Sequence, residues 1–417
     1  MSSLPTVAIS DIADVNPTTS ISHLVVASFV GMEDVSESFA LTRTSDRDVS
    51  ASRGYTRFRE GDLLFAKITP CMENGKGAHA SGLTNGIGFG STEFHVLRAR
   101  SGEPRFLAQW LQAKDLRLAA EAQMTGSAGQ RRVPTDFFSR YRIPSLPIPE
   151  QCRIAEILDT LDDQIRTTEK VIAKLKIIKQ GALDDFMTRG VSDDGVIRPR
   201  TDQAPLLYSA DRSGVRPKAW TRGLLDNFAT RGSGHTPNKN VPSFWNGGIK
   251  WVSLADSSKL DQLYITNTDK EISGEGIANS SAVIHPAGTV ILSRDAGVGK
   301  SSILAEDMAV SQHFMAWRVG PKLSNFYLYY WLQYMKREFE AIAMGSTIKT
   351  IGLPYFRKLQ ISLPSMSEQD QIAKFLLQTD ATIDAASNEL GGLRSLKKGL
   401  MSDLLTGRIR VPLETAS

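Results

Sequence analysis

The residues of this chain that could do chemistry fall in two pairs of polar loops. The first pair is Lys67 to Lys76, reading KITPCMENGK, and Arg294 to Ser301, reading RDAGVGKS. The second is Gly126 to Arg132, reading GSAGQRR, and Gly345 to Lys349, reading GSTIK. Reading a DNA duplex takes Arg or Lys to reach guanine edges, Asn or Gln to reach adenine, and hydroxyls and amides to hold phosphates. Lys67, Thr69, Asn74, Lys76, Ser127, Gln130, Arg131 and Arg132 offer those groups in the first half, and Arg294, Lys300, Ser301, Ser346, Thr347 and Lys349 in the second. These fourteen are the candidate DNA-contacting residues, and plain solvated loops are the alternative.

Catalytic patterns are poorly matched. GVGKSS at Gly297 to Ser302 invites a phosphate-loop reading, but the required earlier glycine falls on Arg294. A turn between two strands accounts for it better. GIGFG at Gly86 to Gly90 lacks the third glycine of a dinucleotide fingerprint. Six scattered histidines form no HExxH or triad pattern, and Asn16-Pro17 is followed by Thr18 instead of the Pro-aromatic pair of an amino-methyltransferase. Cys71 and Cys152 suit neither a disulfide framework nor a metal site. The expectation is a chain with no catalytic residue, no bound metal and no cofactor of its own.

The elements that must position the loops show themselves by repetition. Residues 143–190 and 361–408 align without a gap and share thirteen identities, among them Glu150/Glu368, Gln151/Gln369, Ile154/Ile372, Ala155/Ala373, Leu158/Leu376, Asp162/Asp380 and Lys179/Lys397. In both copies apolar residues recur at alternating steps of four and three, the period of a coiled-coil seam. Ile154, Leu158, Leu161, Ile165 and Leu175 line the first seam, and Ile372, Leu376, Ile383, Leu393 and Leu400 the second. Each copy is predicted as one long helix. Pro149 opens the first, a box of Ser367 with Asp370 opens the second, and Gly190 and Gly407 end them in left-handed caps. Thirty-nine residues from Glu150 to Thr188 would span about 58 Å. Such a helix needs a partner for its stripe, and the repeat is the obvious one, paired antiparallel. Lys179 and Lys397 interrupt both seams at the same place, as register markers or as side chains that snorkel outward.

The segments before the helices also correspond. FVGMED at Phe29 matches WVSLAD at Trp251, GDLLFAK at Gly61 matches GTVILSR at Gly288, and TEFHVLR at Thr92 matches QHFMAWR at Gln312. WLQ recurs at Trp110 and Trp331. These read as short strands with helices at 104–123 and 324–343. The expected fold class is α+β, with a pseudo-two-fold internal repeat. The expected segments are a β-rich domain at 1–149, a helix at 150–190, a connector at 191–216, a second β-rich domain at 217–366 and a helix at 367–408.

In bulk the 417 residues are 41% apolar and 23% charged, with a net charge of +4. Residues 217–366 carry 16 Lys/Arg against 11 Asp/Glu, whereas the helices are near balance, at 7 against 8 in 150–190. Basic excess therefore sits in a domain suited to a polyanion, and the helices suit protein partners. With no apolar run of spanning length and no leader, a cytoplasmic protein is expected.

A variable domain, a helix opening EQ-x-x-IA and closing KQGALDDFMTRG, a second variable domain and a helix closing KKGLMSDLLTGRIRV resemble the specificity subunits of type I restriction-modification systems. LLFAKITPCMENGKG is similar to a segment of that family's recognition domains. The resemblance implies a non-catalytic reader of double-stranded DNA. Its two β-rich segments would be target recognition domains, each reading half of a split, asymmetric sequence. The two conserved helices would form an antiparallel coiled coil that docks two modification subunits. Those partners would bring S-adenosylmethionine for adenine methylation, and restriction subunits would bring ATP and Mg. Two readings from other classes compete: a nucleotide-hydrolysing enzyme using Lys300 and Ser301, and a bivalent scaffold or regulator with no methylase partner.

Overall fold

The computed structural model describes residues 4–21, 25–127, 129–211, 214–345 and 349–412. The chain forms two compact units, residues 1–171 with 386–417 and residues 172–385. Each unit takes one β-rich domain, the first part of one long helix and the last part of the other. The boundaries fall inside the helices, between Val171 and Ile172 and between Ala385 and Ala386. A division along the chain assigns each helix whole, whereas the contacts split it.

In the first unit, Ala13–Val15, Phe94–Ala99, Leu63–Ala66 and Gly77–His79 form an antiparallel sheet in that order. A second, mixed sheet runs Ser45–Asp48, Val26–Val30, Ile87–Gly90 and Thr56–Arg59. Successive strand side chains point to opposite faces, so a strand covered on both sides must be apolar throughout. Leu63-Leu64-Phe65-Ala66 is such a run, fully buried. Leu63, Phe65 and Leu97 face a core with Phe106, Leu107, Trp110 and Leu111 of the helix Pro104–Gln112, and Leu64, Phe94 and Val96 face the other way.

The second unit repeats the plan. Ala229–Ser233, Phe314–Val319, Val290–Ser293 and Ser301–Leu304 occupy the same order, with Tyr264–Ile265 added at the edge. Lys270–Ile272, Trp245–Val252, Met308–Val310 and Ile284–His285 form the second sheet, again with a parallel pair at its centre. Val290, Leu292, Met315 and Trp317 face the helix Asn325–Tyr334, while Ile291, Phe314 and Ala316 face the other core. The fold is α+β with a repeated domain, as expected.

The long helices are Ile148–Thr188 and Met366–Leu400, the latter closing in a widened turn at Met401–Leu405. Gly190 and Gly407 adopt φ of 65° and 68°, the left-handed conformation that ends a helix without a Cβ penalty. The second helix's start differs from expectation. The first helical residue is Met366, and Glu368 N–H donates to the Ser365 hydroxyl at 3.2 Å, so Ser365 and not Ser367 caps it.

In each unit the helix segments run antiparallel. Asp162 meets Lys397 and Glu169 meets Arg394 in the first unit, and Lys179 meets Asp380 and Phe186 meets Phe375 in the second. The seam is corrected in part. Ile154 and Leu158 are fully buried in their domain's core, and so are Ile372 and Leu376 in theirs, because those turns lie against the domain. Leu161, Ile165 and Ile383 are buried, whereas Leu175, Leu393 and Leu400 are half-buried. The 4-3 pattern thus serves two surfaces in turn, domain first and helix second.

Lys179 and Lys397 do not snorkel into solvent. Lys397 Nζ lies 2.5 Å from Asp162 and Lys179 Nζ 2.5 Å from Asp380, reciprocal ion pairs built from repeat-matched residues. A third partner matches as well: Gln109 donates to Asp162 and Tyr330 to Asp380, each at about 3 Å. With Lys397 and Asp162 only 12% and 15% exposed, leaving either alone is costly. Lys397→Asp should destabilise the first unit by about 2 kcal/mol and Lys397→Asp with Asp162→Lys should recover at least half. Urea unfolding of the four-member cycle measures the coupling, and additive losses would deny the pair its register role.

Candidate nucleic-acid interface

Each unit brings its two candidate loops together on the same main-chain frame. In the first, the Lys67–Lys76 loop joins strands Leu63–Ala66 and Gly77–His79, which pair antiparallel. The other loop folds back at Thr125, whose N–H and carbonyl both bond Arg132. Thr69 N–H then donates to Arg131 O and Val133 N–H to Lys67 O, closing the junction. In the second unit Met344 pairs with Thr350, Ala296 N–H donates to Lys349 O, and Ile351 N–H to Arg294 O. Gly126 and Gly345 turn both returns with φ of 125° and 124°, values open only to glycine at low cost.

The side chains on this shared frame differ. In the first unit Arg132 grips Glu93 with Nε and Nη2 at 2.9 and 2.8 Å, and Arg131 reaches Glu73 at 3.0 Å. Arg132 holds the Glu93 carboxyl below its ordinary range. Lys76 Nζ donates to Met32 O, which commits it to the fold. Among the described residues the side chains of Lys67, Asn74, Ser127 and Gln130 have no hydrogen-bonding partner, and the last three are exposed. The Thr69 hydroxyl is buried without a partner.

In the second unit Lys300 Nζ donates to Ser257 O at 2.8 Å. Ser301 is a correction: it lies fully buried in strand Ser301–Leu304, where its hydroxyl accepts from Gln333 at 2.7 Å, so it supports the loop and is not part of its surface. The strand–turn–strand setting, with no helix following, also removes a phosphate-loop role for Lys300 and Ser301. Lys349 is exposed, its backbone opposite Ala296. Ser346 and Thr347 lie outside the described residues.

Residues missed in the sequence hold these loops from beneath. Arg117, 7% exposed, donates to the carbonyls of Leu111, Met72 and Gly75 and lies over the Phe65 ring. Burial pushes its pKa down to about 9, which still leaves it protonated at neutral pH. An arginine on a mostly apolar helical stretch, DLRLAAEA, was the one available signal. His95 Nδ1 accepts from the Asn16 amide at 3.1 Å and Nε2–H donates to Val133 O at 2.8 Å.

Burial holds His95 below its ordinary 6.5. The unfolded chain therefore takes up that proton before the folded chain does, so the stability is present above pH 6.5 and is lost as the pH falls below it. Melting temperature should drop on acidification from pH 7 to 5.5, and His95→Gln should flatten that drop. An unchanged slope in the variant would assign the effect to other groups, such as His79 or His285, which burial also lowers.

The repeated Glu-Gln pair fastens domain to helix. Gln151 accepts from Glu103 N–H and donates to Leu146 O, while Gln369 accepts from Ser324 N–H and donates to Pro364 O. Glu150 and Glu368 each receive a bidentate arginine from beyond a helix end, Arg410 and Arg198. The pair identified as a helix opening is thus the clamp that fixes each β-rich domain to its long helix.

Comparison with known proteins agrees with this construction. A family profile described as type I restriction modification DNA specificity domain matches twice, over residues 25–177 and 217–391. The EcoAI specificity subunit of Escherichia coli is 38% identical over 190 residues, 42% of this chain and 32% of the relative. The MjaVIII specificity subunit of Methanocaldococcus jannaschii is 25% identical over 297 residues, 69% of this chain and 66% of the relative. The chain thus matches about a third of the E. coli relative's length. A type I restriction-modification system S subunit from M. genitalium superposes with a TM-score of 0.60 at 11% identity, covering 97% of both chains. A chain from a structure of type I R-M complex assembly gives 0.56 at 19% identity, covering 98% and 99%. At such identities these structures speak for the fold.

Proposed function

Because the chain belongs to the type I restriction-modification DNA specificity family, whose role is DNA sequence specificity, we propose that it reads a bipartite, asymmetric DNA target with one half-site per unit. One observation carries this reading: the same loop junction is built twice, Thr69 to Arg131 and Ala296 to Lys349, with different side chains on it. A frame repeated this closely with unlike contents suits two readers of unlike sequences. Exposed Asn74 and Gln130 offer amide pairs for adenine in one unit, and Arg294 and Lys349 offer cations in the other.

The chain carries no chemistry of its own in this reading. Two modification subunits would dock on the helix pairs and supply S-adenosylmethionine, and restriction subunits would supply ATP and Mg, in the cytoplasm. Support for docking is the matched construction of the units, which offers one partner two equivalent surfaces, and apolar side chains left on the helices, Ile177 at 73% and Leu396 at 51% exposed. Among the described residues no helix is long and apolar enough to cross a membrane.

Sequencing methylated adenines in a host with and without this chain, its partners expressed throughout, tests the proposal. A split motif that appears only with the chain is expected. An unchanged methylation pattern would end the reading.

A further inference from the structure

Among the described residues of the second unit, nothing in the fold accounts for the placement of the Arg294 guanidinium. Arg294 is anchored at both ends of its backbone, its N–H donating to His313 O and its carbonyl accepting from Ile351 N–H. Its side chain is only 17% exposed, yet Nε is buried without a hydrogen-bonding partner, and no partner for the forked Nη groups is found among the described residues. The nearest carboxylate oxygen, Asp295 Oδ2, lies 3.6 Å from Nε and is already shared with His313 Nδ1 at 2.6 Å. Asp295 is itself 6% exposed with Oδ1 unpartnered. A recessed guanidinium and a recessed carboxylate, both incompletely bonded, are expensive to maintain unless something arrives to complete them.

The arriving group must present paired acceptors. The other loop cations differ: Lys300 is spent on Ser257 O, and Lys349 stands exposed. The first unit treats the same place differently. There the cation at Arg294's place is Lys67, whose side chain also lacks a hydrogen-bonding partner, and Glu93, which stands where His313 does, is held by Arg132 of the other loop through two bonds. In the second unit His313 turns to Asp295, and the fork of Arg294 stays open.

We infer that Arg294 is the guanine-reading side chain of the second unit's half-site, with Asp295 and His313 as positioning residues. This rests on the DNA-reading function proposed above. Guanine's O6 and N7 offer two coplanar acceptors to a guanidinium fork. The Asp295 carboxylate beside Nε biases the fork's orientation before binding, and His313 holds that carboxylate in place. A phosphate is the rival source of paired oxygens, but a phosphate contact gains little from recessing the cation.

The test uses the full chain and the motif duplex found by methylation sequencing, with each base pair of each half-site substituted singly and binding measured at one salt concentration. Wild type should disfavour loss of one guanine by roughly 5- to 150-fold, the worth of a bidentate contact. Arg294→Ala and Arg294→Lys should both erase that preference at that position alone, because lysine keeps the charge but not the fork. Asp295→Asn and His313→Ala should lower it at the same position while leaving the others intact, which a general loss of fold would not do. The inference is overturned if Arg294→Lys retains full discrimination, or if Arg294→Ala weakens all duplexes alike and lowers the salt slope by about one, the mark of a phosphate contact. Should Arg294→Ala fail to fold, the lysine variant decides alone. Wild type that binds every duplex equally would instead remove the reading function itself.

Discussion

Glu368→Ala should unfold the second unit at markedly lower denaturant, with a loss of about 3–5 kcal/mol. The carboxylate is 7% exposed and accepts from Val191 N–H at 2.9 Å, from Trp220 Nε1 at 3.1 Å and from both arms of Arg198. Removing it strands a largely buried guanidinium, an amide and an indole together, which costs far more than the ion pair's net worth in the intact protein. Gly190 belongs to the same cluster. A Cβ there would sit 2.0 Å from Glu368 Oε1, and its φ of 65° already demands glycine. Hydrogen exchange at Val191 and the fluorescence of Trp220 during urea unfolding report the loss locally, where two-state behaviour of the whole chain need not hold. Stability within 1 kcal/mol of wild type would show that the cluster is dispensable. Glu150→Ala should cost the first unit less, because the Arg410 it releases is half exposed and can be resolvated.

Arg117→Ala should cost the first unit about 3 kcal/mol or more and free the loop that bears Asn74. The carbonyls of Leu111, Met72 and Gly75 each lose a donor; Met72 O keeps the Gly75 N–H, but a buried carbonyl left unpaired costs about 1–3 kcal/mol. Arg117→Lys keeps a charge but cannot reach three acceptors with a planar fork, so it should recover little. Calorimetry measures the stability, and faster hydrogen exchange at residues 72–76 measures the loop. A loop that exchanges as slowly as in wild type, in a protein of unchanged stability, would mean that Arg117 does not hold it.

Much of the fold was legible because its signals are periodic and occur twice. Strands such as Leu63–Ala66 and Val290–Ser293 announce burial on both faces through unbroken apolar runs, and left-handed glycines at 190 and 407 mark helix ends. The seam was less legible. A stripe at steps of four and three shows which side of a helix is buried, but not against what. Ile154 and Leu158 were therefore indistinguishable from Leu161 and Ile165 until the domain was seen against them. Each unit brings its two candidate loops together, and their matching places in the two halves were legible in the sequence. Their membership was not. Ser301 reads as a surface hydroxyl, yet it is a strand residue under Gln333.

From the amino acids alone follow the duplication, the long helices, the β-rich segments and the two loop pairs, because hydrophobic period and turn chemistry act over a few residues. Only the tertiary structure decided which charges remain free to act. Arg132 is saturated by Glu93, Lys300 by Ser257, and Lys179 and Lys397 by carboxylates over 200 residues away, whereas Arg294 is left incomplete. The physical reason is that a charged side chain's role depends on its nearest partner at about 3 Å, and that partner is set by packing between distant segments, about which composition and spacing say nothing.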